Sequence, residues 1–296
     1  MRLSVVIAVT EFSASLRRCV GAVDHLEERS SIELMLVAQG PSELLDELRT
    51  SFKSATVIRA RRGASFPEMR GEGARRASGD VIAFLGERYL VGPGWGKAIL
   101  RASHAPIDIL VGLVDPQAGS GLAARAIHAW EYGHLAGFVR SGELTREKAV
   151  LSPGGNSCYR ADLLRELDIS TFFWELDYHA ALFDQGRRFV LSGEMTVSYQ
   201  APAVSNYLEE RYQASYHLAV HRAAGRSEAA CFLRAGSRLL LPFWLLAVSC
   251  RRIGRRGGLG IGRWVISLPC FIIFAVVQAV GELAGYVSFR ATQRRV

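Results

Sequence analysis

Paired or clustered cysteines are missing from this chain. Its five cysteines, Cys19, Cys158, Cys231, Cys250 and Cys270, show no Cys-x-x-Cys spacing, and none stands at ligand spacing from a histidine. That excludes a zinc-ribbon or thioredoxin-type motif and a disulfide framework. The five read instead as small buried apolar residues of a reducing compartment. There is no Gly-x-Ser-x-Gly, no His-Glu-x-x-His and no Gly-x-Gly-x-x-Gly after the first strand pattern, so hydrolase, zinc-protease and dinucleotide-redox motifs are absent. His128 and His134 lie six apart, which is not a spacing that sets two ligands on one helical face. Acids are scarce at the end of the chain: from Arg251 onward there are eight arginines and one acid, Glu282. The formal charge of +8 is therefore concentrated beside the most apolar segment. This suits an anionic membrane surface, and the chain lacks the basic stripe with interleaved aromatics that a nucleic-acid reader would show. No internal repeat or low-complexity tract occurs. The chain opens Met-Arg-Leu and enters a strand pattern at once, leaving no room for a cleavable signal peptide, so a cytoplasmic location is expected for the folded part.

What is present is enough apolar residue, 49% of 296, for one large domain or a domain with an appendage. Leu3 to Val9 is a β-branched run that predicts a buried strand. Ser13 is placed to cap a helix reaching about Arg29, with Leu16, Val20, Val23 and Leu26 at helical spacing. Ile32 to Val37 predicts a second strand, Ser42 a second capped helix to Phe52, and Ala55 to Arg59 a third strand. This βαβαβ opening implies a doubly wound, mostly parallel sheet, because parallel strands need crossover helices. A helix from about Pro67 to Ala77 follows, then the run Val81 to Leu85. That run ends in Gly86-Glu87-Arg88 and a Pro93-Gly94-Trp95 turn into another helix. Ile107 to Val114 predicts a strand, Ala123 to Phe138 a helix, and Tyr159 onward a further helix. Phe189–Val190 and Met195–Tyr199 predict two short strands, and Tyr207 to Ala224 a helix.

In an open α/β sheet, ligands bind beyond the carboxyl ends of the strands. A charged pair directly after a strand as apolar as Val81–Leu85 is therefore a candidate site, although an isolated pair also suits a solvated strand exit.

The order of motifs over roughly residues 3 to 200 resembles family 2 glycosyltransferases of the GT-A fold. The segments are Leu3-Ser-Val-Val-Ile, Leu36-Val-Ala-Gln-Gly-Pro-Ser, and the arginine- and glycine-bearing stretch from Pro67 to Asp80. Next come Ile82-Ala-Phe-Leu-Gly-Glu-Arg where that family carries Asp-x-Asp, Gly94-Trp95, Gly154-Gly-Asn-Ser-Cys-Tyr-Arg, and Trp174-Glu-Leu-Asp. The resemblance implies transfer of a sugar from a nucleotide-sugar donor, with inversion. It also implies a divalent metal, Mg²⁺ or Mn²⁺, on the diphosphate, and a carboxylate that takes the acceptor's proton. By position Glu175 is the base, with Asp177 as runner-up or orienting partner; the alternative for both is a pair of acids at a helix N-terminus. Gly155 and Asn156 match the acceptor-side loop.

The departures bear on the chemistry. Gly86-Glu87-Arg88 keeps one carboxylate, and Ala38-Gln39 stands where acids usually face the nucleotide. Gln39 and Glu11 are the remaining candidates for nucleotide contact, and Arg70 for phosphate, unless Arg70, Arg75 and Arg76 are only a solvated helix face. Three outcomes are open. Glu87 holds a metal alone, or Arg88 replaces the metal through guanidinium–phosphate pairing so that the site is metal-independent, or the domain is a non-catalytic scaffold that binds a membrane partner.

Two apolar segments close the chain. Leu239 to Cys250 is twelve residues, short of the ~20 that span a bilayer, which implies an interfacial segment or part of a longer helix from near Phe232. Trp264 to Phe289 is 26 residues with one charge and reaches about 39 Å as a helix, enough to cross or to fold back. Five arginines between them, Arg251 to Arg263, favour a linker on the cytoplasmic side. Gly281 to Tyr286 has small residues suited to close helix packing. The expectation is an α/β GT-A domain over 1–202, a helical connector over 203–236 and a membrane-associated helical segment over 237–296, at the cytoplasmic face of the cell membrane. The expected acceptor is a lipid-linked or cell-envelope glycan.

Overall fold

The computed structural model describes residues 2–103, 105, 107–137, 141–169, 175–224, 226–256 and 261–293; Trp174, Arg294 and Arg295 lie outside them. The chain divides into two compact units, Met1–Ala118 with Phe138–Gln200, and Gly119–Gly137 with Ala201–Val296. Residues 119–137, which a linear division at residue 202 leaves in the first domain, are grouped with the second unit.

The first unit is built on a nine-stranded sheet. Its strands are β1 (Leu3–Val9), β2 (Ile32–Ala38), β3 (Ala55–Arg59), β4 (Val81–Gly86), β5 (Tyr89–Val91), β6 (Ile109–Pro116), β7 (Ser141–Glu143), β8 (Asn156–Arg160) and β9 (Phe189–Tyr199). They lie in the order β3-β2-β1-β4-β8-β6-β9-β5, with β7 on β9. The sheet is mixed and mostly parallel: β1 to β4, β6 and β9 share one direction, and β5, β7 and β8 oppose it. β1 is buried at every position, between parallel β2 and β4, which is why it reads as an unbroken apolar run.

Helix α1 (Ala14–Asp24) is capped by Ser13, whose hydroxyl accepts from Leu16 N at 3.2 Å. It stops at Asp24 and not near Arg29. The Arg29 guanidinium folds back onto Asp24 (2.6 Å), Ile32 O (2.7 Å) and Ser54 O (2.8 Å), and residues Arg29–Ser31 form a 3-10 turn into β2. In α2 (Ser42–Ser51) the cap position is Pro41, and the Ser42 hydroxyl accepts from Arg59 Nη2 at 3.2 Å. Helix α3 (Phe66–Arg76) starts at a capping box. Ser65 Oγ accepts from Glu68 N, and Glu68 Oε2 accepts from Ser65 N at 2.7 Å. A Cβ on Gly73 of α3 would lie 2.4 Å from Val6 Cγ1, so this glycine lets α3 settle onto β1 and β2. Cys19 and Cys158 are buried, and burial pushes both thiols well above their ordinary range.

Two elements depart from the sequence reading. Tyr159 does not open a helix; it lies in β8, which runs antiparallel between β4 and β6, and the helix α7 (Ala161–Glu166) begins only after it. Phe189–Val190 and Met195–Tyr199 belong to one strand, β9, with a bulge. Gly112 faces Ser192 and Val114 faces Val197, so β9 gains residues that β6 lacks. The remaining helices of this unit are α4 (Trp95–Ala102), α6 (Arg146–Val150) and α8 (Glu175–Asp184).

The second unit is helical, with α5 (Leu122–Tyr132), α9 (Val204–Ala223), α10 (Glu228–Ser237), α11 (Leu241–Arg256) and α12 (Ile261–Gln293). Among the described residues two stretches are long and apolar enough to cross a membrane by length and composition: Glu228–Ser249, mean hydropathy 1.4, and Val265–Ser288, mean hydropathy 2.0. The first joins α10 and α11 through a 3-10 turn at Arg238–Leu240, so its helical run begins well before Leu239. Helices α9 and α12 pack side by side through small residues. A Cβ on Gly281 would lie 2.6 Å from Tyr212 O, and one on Gly285 2.4 Å from Tyr216 O. Tyr207 meets Phe274 with ring centroids 4.7 Å apart, and Trp130 of α5 meets Phe271 and Phe274. Glu282 is buried and pairs with Arg238 at 3.0 Å.

Because backbone carbonyls, not flexible side chains, stand over Gly281 and Gly285, Gly285→Leu is expected to lower stability by about 2 kcal/mol or more. Thermal unfolding of the full chain in detergent measures this. Gly236→Ala, where a Cβ meets nothing within 4 Å, serves as the neutral control.

Candidate functional site

The carboxyl end of β4 lies against the amino end of β8, where Gly86 N donates to Gly155 O at 2.9 Å. Three glycines bare the backbone here. A Cβ on Gly86 would lie 3.0 Å from the Tyr89 ring, one on Gly155 3.3 Å from Arg70 Nη2, and one on Gly154 2.6 Å from Glu175 Cβ and 2.8 Å from Tyr178 Oη. Arg70, Tyr89, Glu175 and Tyr178 therefore converge on a stretch of main chain without side chains.

Arg70 comes from the first half of α3 and is 8% exposed. It is not part of a solvated helix face. Its Nη1 lies 3.7 Å from Glu175 Oε2, and this buried nitrogen makes no hydrogen bond. The Phe84 ring lies 5.8 Å from the guanidinium carbon. A guanidinium keeps its charge in such surroundings, and a buried donor that makes no hydrogen bond is rare enough in folded proteins to call for an explanation. Glu175 opens α8 and is partly exposed; Asp177, two residues further on and so on the opposite side of the helix, is exposed.

Behind this pair runs a buried polar chain. His179 Nε2 is 2.6 Å from the Tyr159 hydroxyl, and Nδ1 is 3.3 Å from Ser152 Oγ. Ser152 donates its own proton to Ala149 O at 2.5 Å, which assigns the imidazole proton to Nδ1 and makes Tyr159 the donor to Nε2. Burial, together with the Arg70 charge, pushes the His179 pKa down to about 3, so the ring is neutral.

Glu87 turns to the end of β1. It accepts from Thr10 N at 3.1 Å and Thr10 Oγ1 at 2.8 Å and is 8% exposed. Burial raises its pKa above the usual carboxylate range, opposed by the Thr10 hydrogen bonds and Arg88. Arg88 Nη2 lies 3.8 Å from Glu11 Oε1, and Gln39 follows β2, half-buried. Asn156 is fully buried. Its Oδ1 accepts from Trp95 Nε1 at 3.0 Å, and its Nδ2 donates to Leu113 O (2.9 Å) and Met195 O (2.8 Å). Its amide pins β8 to β6 and β9; Gly154 and Gly155, just before β8, are buried under Glu175, Tyr178, Tyr89 and Arg70.

Among the described residues no three histidine, cysteine or acidic side chains gather at metal-binding distance. The donor set at Glu87 does not fit a divalent ion: it is one carboxylate, with both oxygens accepting from Thr10, beside a guanidinium. Of the residues that sequence reasoning singled out, Arg70, Glu175 and Gly155 form one group, and Glu87, Arg88 and Glu11 another. Tyr89, Tyr159, Tyr178, His179 and Thr10 escaped it. An aromatic in an apolar context carries no mark that separates a site from a core.

No protein-family model matches the chain, and no curated protein matches it at a significant level. What the fold defines is an α/β protein with a mixed, mostly parallel sheet and two helical stretches apolar and long enough to cross a membrane.

The neutral His179 makes acid stability testable. With an unfolded value near 6.5 and a folded value of about 3, its contribution is complete above pH 6.5 and declines as pH falls toward 3. Between pH 6.5 and pH 5 the loss is about 2 kcal/mol. Urea midpoints at the two pH values measure it, and His179→Gln is expected to flatten that limb.

Proposed function

We propose that this chain is a membrane-associated transferase of the family 2 glycosyltransferase type, with a GT-A fold, that moves a sugar from a nucleoside-diphosphate donor to a lipid-linked or cell-envelope glycan acceptor at the cytoplasmic face of the membrane. The observation that carries the reading is Arg70. It is a buried guanidinium whose Nη1 makes no hydrogen bond and has only a long ion pair, 3.7 Å, to the partly exposed Glu175 carboxylate, where three glycines line the junction of β4 and β8. A diphosphate oxygen fits that nitrogen, with Arg88 as the second cation. Glu11 and Gln39, beyond β1 and β2, fall to the nucleotide.

In the reaction the acceptor hydroxyl attacks the anomeric carbon, and Glu175 takes its proton. The bond from that carbon to the diphosphate breaks, and the diphosphate leaves with the electron pair. Glu175 and the diphosphate compete for Arg70, so donor binding releases the carboxylate for the acceptor. Asp177 orients the approach from the exposed side of α8. No step is routed through a metal, since the Glu87 carboxylate is engaged by Thr10.

A second reading is favoured by that engagement and by the buried amide of Asn156: a GT-A-like subunit that binds a partner at the membrane without chemistry. A panel of nucleoside diphosphates, titrated by calorimetry with and without Mn²⁺, separates the two. The transferase reading expects binding without metal. It also expects a loss of at least about tenfold with Arg70→Ala, the loss of one charge-assisted contact, a weakening with Arg88→Ala, and equal or tighter binding with Glu175→Gln, which removes the competitor. Failure of every nucleotide under every condition would leave the scaffold reading.

A further inference from the structure

Helix α12 has two unlike sides. One side, carrying Phe274, Gly281 and Gly285, packs on α9. The other side exposes Ile266, Ile273, Val276, Val280 and Val287, a stripe at helical intervals of three, four or seven residues with each side chain about half exposed. Helix α9 completes the pair. Its small residues Ser215, Ala219 and Ala223 are buried, and its opposite side exposes Asn206, Glu209, Glu210, Gln213, His217 and His221. The two helices run parallel, since Tyr207 meets Phe274, Tyr212 meets Gly281 and Tyr216 meets Gly285. They form a layer two helices thick, polar on the α9 side and apolar on the α12 side.

That layer conflicts with a crossing helix. If Val265–Ser288 passed through the bilayer, α9 would be carried to the same depth with its glutamates and histidines facing hydrocarbon. Lying flat, the layer has no such conflict: the stripe meets acyl chains while the α9 acids and histidines stay in water. The charges at the ends of α12 agree. Arg255, Arg256 and Arg263 precede or open it, and Arg290, Arg294 and Arg295 close or follow it. With the helix in one leaflet both ends of this basic sequence stay at one membrane face, whereas a crossing divides it between the two.

We infer that α12 does not cross the membrane but lies in the plane of a single leaflet, holding the chain on an anionic bilayer through its Ile266–Val287 stripe. From the proposed function this takes over only the membrane. It is independent of the transfer chemistry.

The test uses the full chain with vesicles of phosphatidylcholine and phosphatidylglycerol. Single cysteines, Ile266→Cys, Ile273→Cys, Val280→Cys and Val287→Cys on α12 and Gln213→Cys on α9, carry an environment-sensitive dye, in a background with Cys250→Ser and Cys270→Ser. Quenching by lipids spin-labelled at different depths is expected to place the four α12 labels at one shallow depth and the α9 label in water. A profile deepest near the helix middle, with its two ends at opposite faces, or an α9 label in hydrocarbon, overturns the in-plane arrangement while leaving membrane attachment standing. Absence of binding to these vesicles, with a doubled mass in solution, assigns the stripe to a second protein copy and overturns both. Without labels, Val276→Asp with Val280→Asp is expected to weaken vesicle binding at least about tenfold, the equivalent of removing one buried valine. Gln213→Ala, on the polar side, leaves it unchanged.

Discussion

The first unit depends on the hydrogen bond from Gly86 N to Gly155 O, which closes the seam between two strands running in opposite directions. β8 enters the sheet antiparallel between β4 and β6, so the end of one strand and the beginning of another share one edge. A side chain at Gly86, Gly154 or Gly155 would fall within 3.3 Å of Tyr89, Arg70 or Glu175. The seam therefore closes only with glycine, and only then can a guanidinium and a carboxylate approach the bare main chain together. Around them the interior is aromatic, with Phe84, Tyr89, Tyr159 and Tyr178, and the neutral His179 adds no competing charge.

Much of this was legible in the residues. β1, β2 and β4 are apolar runs between turn residues, and burial on both faces is what makes them nearly unbroken. Ser13 announces α1, and Pro67 announces the first turn of α3. β8 gives no such signal. Its five residues, Asn-Ser-Cys-Tyr-Arg, have neither helical nor alternating period; Asn156 is buried because the distant carbonyls of Leu113 and Met195 accept from it, and Ser157 because the nearby Pro153 carbonyl does. The continuity of β9 is hidden by its bulge, and the early end of α1 by a side chain turning back on Asp24. β8 and β9 depend on contacts distant in sequence, which local pattern does not encode, and the end of α1 on side-chain hydrogen bonds that helical spacing does not reveal.

In the second unit the small residues do what bulky ones do in a water-soluble core. Gly281, Gly285, Ser215 and Ala219 let two helices approach until backbone meets side chain, and this binds a polar helix to an apolar one. Ala219, Ala223, Cys231, Ala235 and Tyr286 extend the contact to α10. Glu282 sits inside this packing with Arg238, so the acid of α12 is neutralised within the protein and its apolar stripe carries no charge.

The cysteines turn this architecture into a set of clocks. Cys19 and Cys158 lie in the first unit and Cys231 in the second, all buried, the first two with thiols held protonated by their surroundings. A thiol reagent reaches such a group only when the structure around it opens, so the rate of modification at each position reads the opening free energy of its own neighbourhood. The two units can thus be timed separately once Cys250 and Cys270 are replaced by serine, the sheet by Cys19 and Cys158 and the helical layer by Cys231.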